Sequence, residues 1–203
     1  MAIGPHPLLP GKTALLNIDL QCCFVENSPI ASPRGRAVLD KVNRVTDACR
    51  AAGILIIHTR HVVRDDHSNI GRMDNLGPVV GGVIDDSAGS AALHPDLSVH
   101  PGDIVLNKPK YGSFHGTDLE IILRTRGIDT VIVEGLTTNH CCEMTTREAN
   151  ARDFKVVFLS DATATFDHDG ATAEQIQRTT LATIGFAHAE VLDSYALLAR
   201  LGG

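Results

Sequence analysis

At 203 residues, 43% of them hydrophobic, the chain has the size of one large α/β domain and is short for two. It contains no Trp and few aromatics, so its core must be built from Ala, Val, Ile and Leu. A net charge of −6 with scattered Lys and Arg leaves no basic stripe, which excludes a nucleic-acid surface that works by displacing counterions.

The first dozen residues, MAIGPHPLLPGK, lack the charged and apolar regions of a signal peptide. No window approaches the ~18 apolar residues needed to span a bilayer. The first expected strand runs from Thr13 to about Asp19. A helix follows from about Arg34 to Ala52, with Val38, Val42 and Val45 on one face and Gly53 as its stop. Ile54–Thr59 reads as the second strand, and a third ends near Lys108. Between them, residues 61–102 are rich in Gly, Asp, His and Pro and keep no period. So long a connection implies a pocket wall, a lid or an oligomer contact. A helix from about Thr117 to Arg126 stops at Gly127. The apolar run Thr130–Val133 ends at Gly135, and a helix from Cys141 continues to about Arg152. A strand over Lys155–Ser160, a helix over Ala171–Gly185, a short strand over Glu190–Leu192 and a C-terminal helix complete the pattern. Strands alternating with helices predict a three-layer α/β/α domain over residues 1–203, a doubly wound, mainly parallel, Rossmann-like sheet of six strands.

Four of the five cysteines are adjacent pairs, Cys22–Cys23 and Cys141–Cys142. Neighbours rarely bridge, so this is no secreted disulfide framework. Reduced thiols and a cytoplasmic location are expected.

In open parallel sheets ligands bind outside the carboxyl ends of the strands. Three ionisable residues fall there: Asp19 after the first strand, Lys108 after the third, and Cys141 just past the fourth. Cys141 also stands where a helix begins, and a helix N-terminus favours a thiolate. A proton acceptor, a cation and a nucleophile in one crevice are the components of covalent catalysis. Lys108 is expected to favour the thiolate by its charge, and Asp19 to accept and return a proton. Cys142, one residue further along the helix, is expected to face the core. His140 either lines the pocket or occupies the first helical turn.

The blocks ALLNIDLQCCF, VLNKPKYGSFHGTDLE, VEGLTTNHCCEMTTREA and VVFLSDATATF carry a resemblance over about Thr13 to Leu192 to the isochorismatase-like cysteine hydrolases. Nicotinamidases, carbamoylsarcosine-type amidases and ureido hydrolases belong to this superfamily. The resemblance places the catalytic triad on Asp19, Lys108 and Cys141. It implies a cis peptide at Leu136–Thr137 and an oxyanion hole from the Thr137 and Cys141 N–H groups. It matches Phe24 to a pocket aromatic and Gln21 to a glutamine near the aspartate, both assigned to substrate binding.

The activity implied by the resemblance is hydrolysis of a C–N amide or ureido bond in a small molecule through a thioester. It further implies no organic cofactor, no membrane and a homo-oligomer. The stretch HTRHVVRDDH lacks the Asp-aromatic-His arrangement of metal-binding nicotinamidases, so no metal is assigned. His58, His61 and His67 are its candidate ligands, set against hydrogen-bonded histidines. Alternatives are a vinyl ether hydrolase with Asp19 as the acid, and a non-catalytic, redox-responsive binding protein on the same fold.

Overall fold

The most apolar runs in the chain become the middle of one sheet, because a parallel strand covered on both faces can carry no solvated side. A computed structural model describes residues 3–79 and 82–202. Its strands are β1 (Thr13–Ile18), β2 (Leu55–His61), β3 (Ile104–Lys108), β4 (Thr130–Leu136), β5 (Lys155–Ala164) and β6 (Glu190–Leu192). Every residue of β1 and β4 is buried. The strand order is β3-β2-β1-β4-β5-β6 with all pairings parallel, as the alternating pattern predicts. The chain winds outward from β1 in one direction and from β4 in the other. The switch point between them is where a crevice opens at the carboxyl ends.

The helices are α1 (Cys22–Val25), α2 (Gly35–Ala51), α3 (Leu119–Thr125), α4 (Glu143–Asn150), α5 (Ala173–Ala187) and α6 (Ser194–Leu201). On one face α2 presents Val38, Val42, Val45 and Cys49, with Leu197 of α6 in the same cluster. The 3–4 residue spacing puts them on one stripe. On the other face Leu119 and Leu123 of α3, Ala149 of α4 and Ile184 of α5 pack together. α5 starts at Ala173, two residues later than expected, because Thr172 caps it in a reciprocal box with Gln175. α1 has only four residues, too few to leave a period in the sequence. Among the described residues no helix is long and apolar enough to cross a membrane.

Three strands outrun their expected ends. β2 continues two residues past Thr59, β4 reaches Leu136, and β5 reaches Ala164 instead of Ser160. A register shift between Val133 and Gly135 keeps β5 paired to β4 through the polar stretch after Leu159. Gly135 has φ +119°, and a Cβ there would collide with the Ile18 carbonyl oxygen. Only glycine lets β1 and β4 approach this closely at the switch point. The 61–102 segment contains two 3-10 stretches, Gly71–Val79 and Gly89–Ala91. It is tied to the sheet end: the Cys22 N–H donates to Ala92 O at 3.0 Å, and Gln21 bridges Leu93.

A polar seam crosses the α2 side of the sheet. Asn17 Nδ2 donates to Thr46 Oγ1 at 2.9 Å and lies 3.2 Å from His58 Nδ1, while His58 Nε2 lies 3.2 Å from Asp103 Oδ2. Beside Asn17 stands Glu134, fully buried, with no hydrogen-bond partner for either carboxylate oxygen among the described residues. Burial pushes its carboxyl well above the usual range, with Thr46 opposing in part and Asp161 adding to it. The folded protein therefore holds a proton that the unfolded chain releases near 4.5. Above that value the native state binds more protons at this site, so the Glu134 contribution to stability falls as pH rises, by up to ~1.4 kcal/mol per pH unit. Glu134→Gln should remove this slope and raise the melting temperature at pH 8. Parallel melting curves from pH 5 to 9 check it, and unchanged slopes would refute it.

Candidate active site

Asp19 follows the last residue of β1 and turns with φ +51°, which swings its side chain into the crevice. It is fully buried, and Thr59 of β2 locks it twice: the Asp19 N–H donates to Thr59 Oγ1 at 3.1 Å, and that hydroxyl donates to Asp19 Oδ1 at 2.5 Å. Lys108, the last residue of β3, is fully buried with Nζ 2.8 Å from Asp19 Oδ2. Its ammonium also donates to Lys110 O at 2.9 Å and Tyr111 O at 2.8 Å. Two of its three N–H bonds thus go to backbone carbonyls, and the contact to Asp19 is an ion pair. Burial works against the Lys108 charge, but the Asp19 carboxylate opposes it, and the amine stays above its ordinary value.

Cys141 lies in a π-helical turn, Thr138–Cys142, that leads directly into α4. The Leu136–Thr137 peptide before it is cis. The Thr137 carbonyl takes the N–H groups of His140 at 3.3 Å and Cys142 at 3.2 Å, passing over that of Cys141. Cys141 is buried on the floor of a cavity of about 410 Å³. Burial pushes its thiol up; Lys108 pulls down and Asp19 pushes up again. Desolvation wins over the helix terminus and the lysine, so the resting group is a neutral thiol. Cys142 is fully buried in the core, as its position along the helix implied, and burial pushes it up further.

The expected site residues meet unequally. Asp19, Lys108 and Cys141 come from three strand ends into one crevice. Thr137 and Phe24 line the cavity. Gln21 does not: its amide donates to His61 O at 3.1 Å and Ala91 O at 2.8 Å and accepts from the His61 N–H at 2.6 Å. All its polar atoms are committed to backbone, so its place in the site is a clamp on the end of β2 rather than a contact to substrate. Leu76 and Ile84 of the 61–102 segment line the cavity, making that segment a pocket wall.

His58, His61 and His67 do not converge. His58 faces Asp103, and His67 Nε2 lies 2.9 Å from Asp85 Oδ1. His61 instead stands beside Asp19 and Cys141: ligand atoms of the three lie within 4.8 Å of one another. Lys108 already holds the carboxylate of that group, and its positive charge opposes a cation there. Burial, then the charges of Lys108 and Lys110, push the His61 ring well below its ordinary value, so it is neutral. Thr59 and His61 are the residues that a reading of strand ends should have added. They alternate on one face at the carboxyl end of the strand beside β1. An expected strand end at Thr59 leaves His61 outside the strand, where it figures only as a candidate metal ligand.

Aromatic and imidazole rings line one wall of the cavity. Phe24 stacks on His61 with centroids 6.4 Å apart, His61 meets the Tyr111 edge at 5.5 Å, and Tyr111 stacks on His140 at 5.6 Å. His168 and Phe166 continue the row. No lysine or arginine lines this cavity among the described residues.

A doubly wound sheet that gathers a carboxylate, an ammonium and a thiol at its switch point defines an α/β domain built around a buried thiol. The chain belongs to the isochorismatase family: the Isochorismatase domain matches residues 13–189. It is 34% identical over 194 residues to nicotinamidase 3 of Arabidopsis thaliana, covering 94% of this chain and 89% of that protein. Similarity to the ureidoacrylate amidohydrolase of Klebsiella pneumoniae is 30% over 174 residues, covering 76% and 74%. A crystal structure of a cysteine hydrolase from Pseudomonas syringae pv. phaseolicola superposes with TM-score 0.94 at 33% identity, covering 98% of this chain and 96% of that one.

Proposed function

We propose that this protein hydrolyses the C–N bond of a small carboxamide whose acyl group is flat and uncharged. The buried Asp19–Lys108–Cys141 constellation under an aromatic-walled cavity carries the reading. Relatives named as a nicotinamidase and a ureidoacrylate amidohydrolase support amide hydrolysis in general. Between these two kinds of substrate, the lining favours the uncharged one. A carboxylate would enter about 410 Å³ without meeting a lining cation: Lys108 is paired with Asp19, and it and Lys110 each donate to two backbone carbonyls.

The steps start from a neutral thiol beside a carboxylate. Cys141 transfers its proton to Asp19 as the sulfur attacks the carbonyl carbon, forming a C–S bond. The oxyanion is met by the N–H groups of Thr137 and Cys141, which are fixed before reaction and reorganise little. Asp19 passes the proton to the leaving nitrogen, the C–N bond breaks, and an acyl thioester remains. Water then gives a proton to Asp19, attacks the thioester and releases the acid, and the proton returns to sulfur. Lys108 keeps Asp19 oriented and neutralises charge through both halves. No metal or organic cofactor enters these steps.

Two observations weigh against a redox-responsive role. Cys141 and Cys142 are buried, and burial raises their thiols, with Cys23 pushed up to about 12. Oxidation sensors need the opposite, an exposed thiol of low pKa. The test is ammonia release from a panel of benzamides, pyridine carboxamides and ureido acids, with rapid quenching and mass spectrometry of the enzyme. The expected result is turnover of uncharged aromatic amides and an acyl adduct on the peptide carrying Cys141. Turnover without any adduct on that peptide would favour Asp19 acting alone.

A further inference from the structure

Beside the active-site cavity lies a second one of about 600 Å³, and Leu76 and Tyr111 line both, so they stand between the two. The 61–102 segment, the turn after β3 and helix α4 enclose it. Lys110 shapes one side: its Nζ donates to Asn69 O at 3.0 Å and to Ile70 O at 2.8 Å. Gly71 packs so closely there that a Cβ on it would stand 2.8 Å from that Nζ. The next residue, Arg72, is exposed and lines the outer cavity, and its side chain enters no ion pair or hydrogen bond among the described residues. Glu148 supplies a carboxylate to the lining, and its Oε2 accepts from the Phe114 N–H at 2.9 Å. The apolar part includes Leu76 and Met144, which are 49% and 44% exposed.

The two cavities differ in charge. No lysine or arginine lines the inner one among the described residues, whereas Asp169 does, and Asp19 stands beside Cys141. The outer one sets Arg72 and Lys110 against Glu148. Amide hydrolysis turns an uncharged substrate into a carboxylate. In the inner cavity that acid meets carboxylates and no lining cation, which is unfavourable in a confined apolar site. Across Leu76 and Tyr111 the same flat body finds apolar side chains again. Its new charge finds there a guanidinium whose planar fork of N–H groups is uncommitted.

We propose, resting on the amide hydrolase reading, that the outer cavity is a binding site for the product of the reaction, an organic acid with a flat apolar body. Arg72 holds the carboxylate, Lys110 adds its charge, and Leu76 and Met144 cover the body. The change of charge sorts the two ligands: the neutral amide is held over Cys141, and the acid is held on the far side of Leu76 and Tyr111.

The test reads binding, so that it does not depend on turnover. The chain has three methionines. Met73 and Met144 line the outer cavity, and no methionine lines the inner one among the described residues. Protein with isotope-labelled methionine methyl groups is followed by NMR while benzoate is added, or benzyl alcohol as its uncharged analogue. Met73→Leu and Met144→Leu assign the signals. Both signals should move saturably with benzoate, with a Kd about tenfold or more below that of benzyl alcohol. Arg72→Glu should weaken benzoate about tenfold and Arg72→Gln about three- to fivefold, with benzyl alcohol changed less than about twofold. Added salt should weaken benzoate in the parent and have little effect in Arg72→Glu. Arg72 is exposed, so both variants should fold, and melting curves check this. Benzoate that leaves both methyl signals in place, equal affinities for the two ligands, or an affinity untouched by Arg72→Glu would each overturn the assignment. Failure of the hydrolase reading looks different: no ammonia release from the amide panel while benzoate still moves Met73 and Met144, which would leave an organic-acid site and remove its role as product site.

Discussion

Cys141→Ala should lower kcat/KM for amide hydrolysis by roughly 10⁴- to 10⁶-fold, the scale seen when a nucleophile acting as part of a unit is removed. The fold should tolerate it, because the lost sulfur sits on a cavity floor where relaxation is easy, at about 1 kcal/mol or less. Cys142→Ala is the internal control. Cys142 is fully buried in the core cluster with Phe158 and Leu123. Its truncation should cost about 1–2 kcal/mol of stability yet leave kcat/KM within a few-fold. Adjacent residues with opposite outcomes separate chemistry from packing, which neither variant alone can do. Steady-state kinetics and thermal unfolding of both variants provide the readout. A Cys141→Ala enzyme with more than about 1% of parental activity would mean that the sulfur is not the nucleophile.

The sheet was legible because its strands are nearly continuous apolar runs bounded by glycines, and the rule that ligands bind at the carboxyl ends placed Asp19, Lys108 and Cys141 correctly. What escaped was set by packing between strands. β2 extends to His61 because it stays paired with β3 as far as Lys108, and Gln21, far away in sequence, clamps the same end, which no periodicity encodes. Gln21 is legible as a residue near the aspartate, but its direction is not. The protonation of Cys141 could not be read from the sequence. A helix start and a nearby lysine both favour a thiolate, and these are local features that a sequence displays. Burial is collective, contributed by every residue around the turn, and it dominates. Slow reaction with a general alkylating agent at neutral pH is therefore what an active enzyme should show, and the accessible test is acylation by substrate. The 61–102 segment stands out in the sequence by its length, yet only its packing makes Leu76 and Ile84 walls of the cavity.

Lys108→Met should be the most damaging single substitution for the protein as a whole. Its ammonium and the Asp19 carboxylate are 2.8 Å apart, and both are completely buried. Removing one partner leaves the other charge without compensation, at about 3–5 kcal/mol. Alternatively Asp19 takes up a proton, and then it can no longer receive the one that Cys141 must lose. Either way activity should fall by at least about 10³-fold, with a melting temperature lower by several degrees. Asp19→Asn should likewise lose activity, and it strands the Lys108 charge, although the new amide oxygen and the backbone carbonyls nearby still accept from it. The informative protein is the double variant Asp19→Asn/Lys108→Met. With both charges gone, most of the stability should return, because a neutral pair carries no desolvation penalty for an ion. Activity should not return, since the proton acceptor is still absent. A double-mutant cycle on unfolding free energy measures the coupling directly, and the expected value is about 2–4 kcal/mol. Additive losses would show that the two groups stabilise the fold independently. Near-parental turnover in Lys108→Met would show that Asp19 holds its place without the lysine. Recovery of stability without recovery of activity would place the ion pair in the chemistry, retained although it weakens the fold.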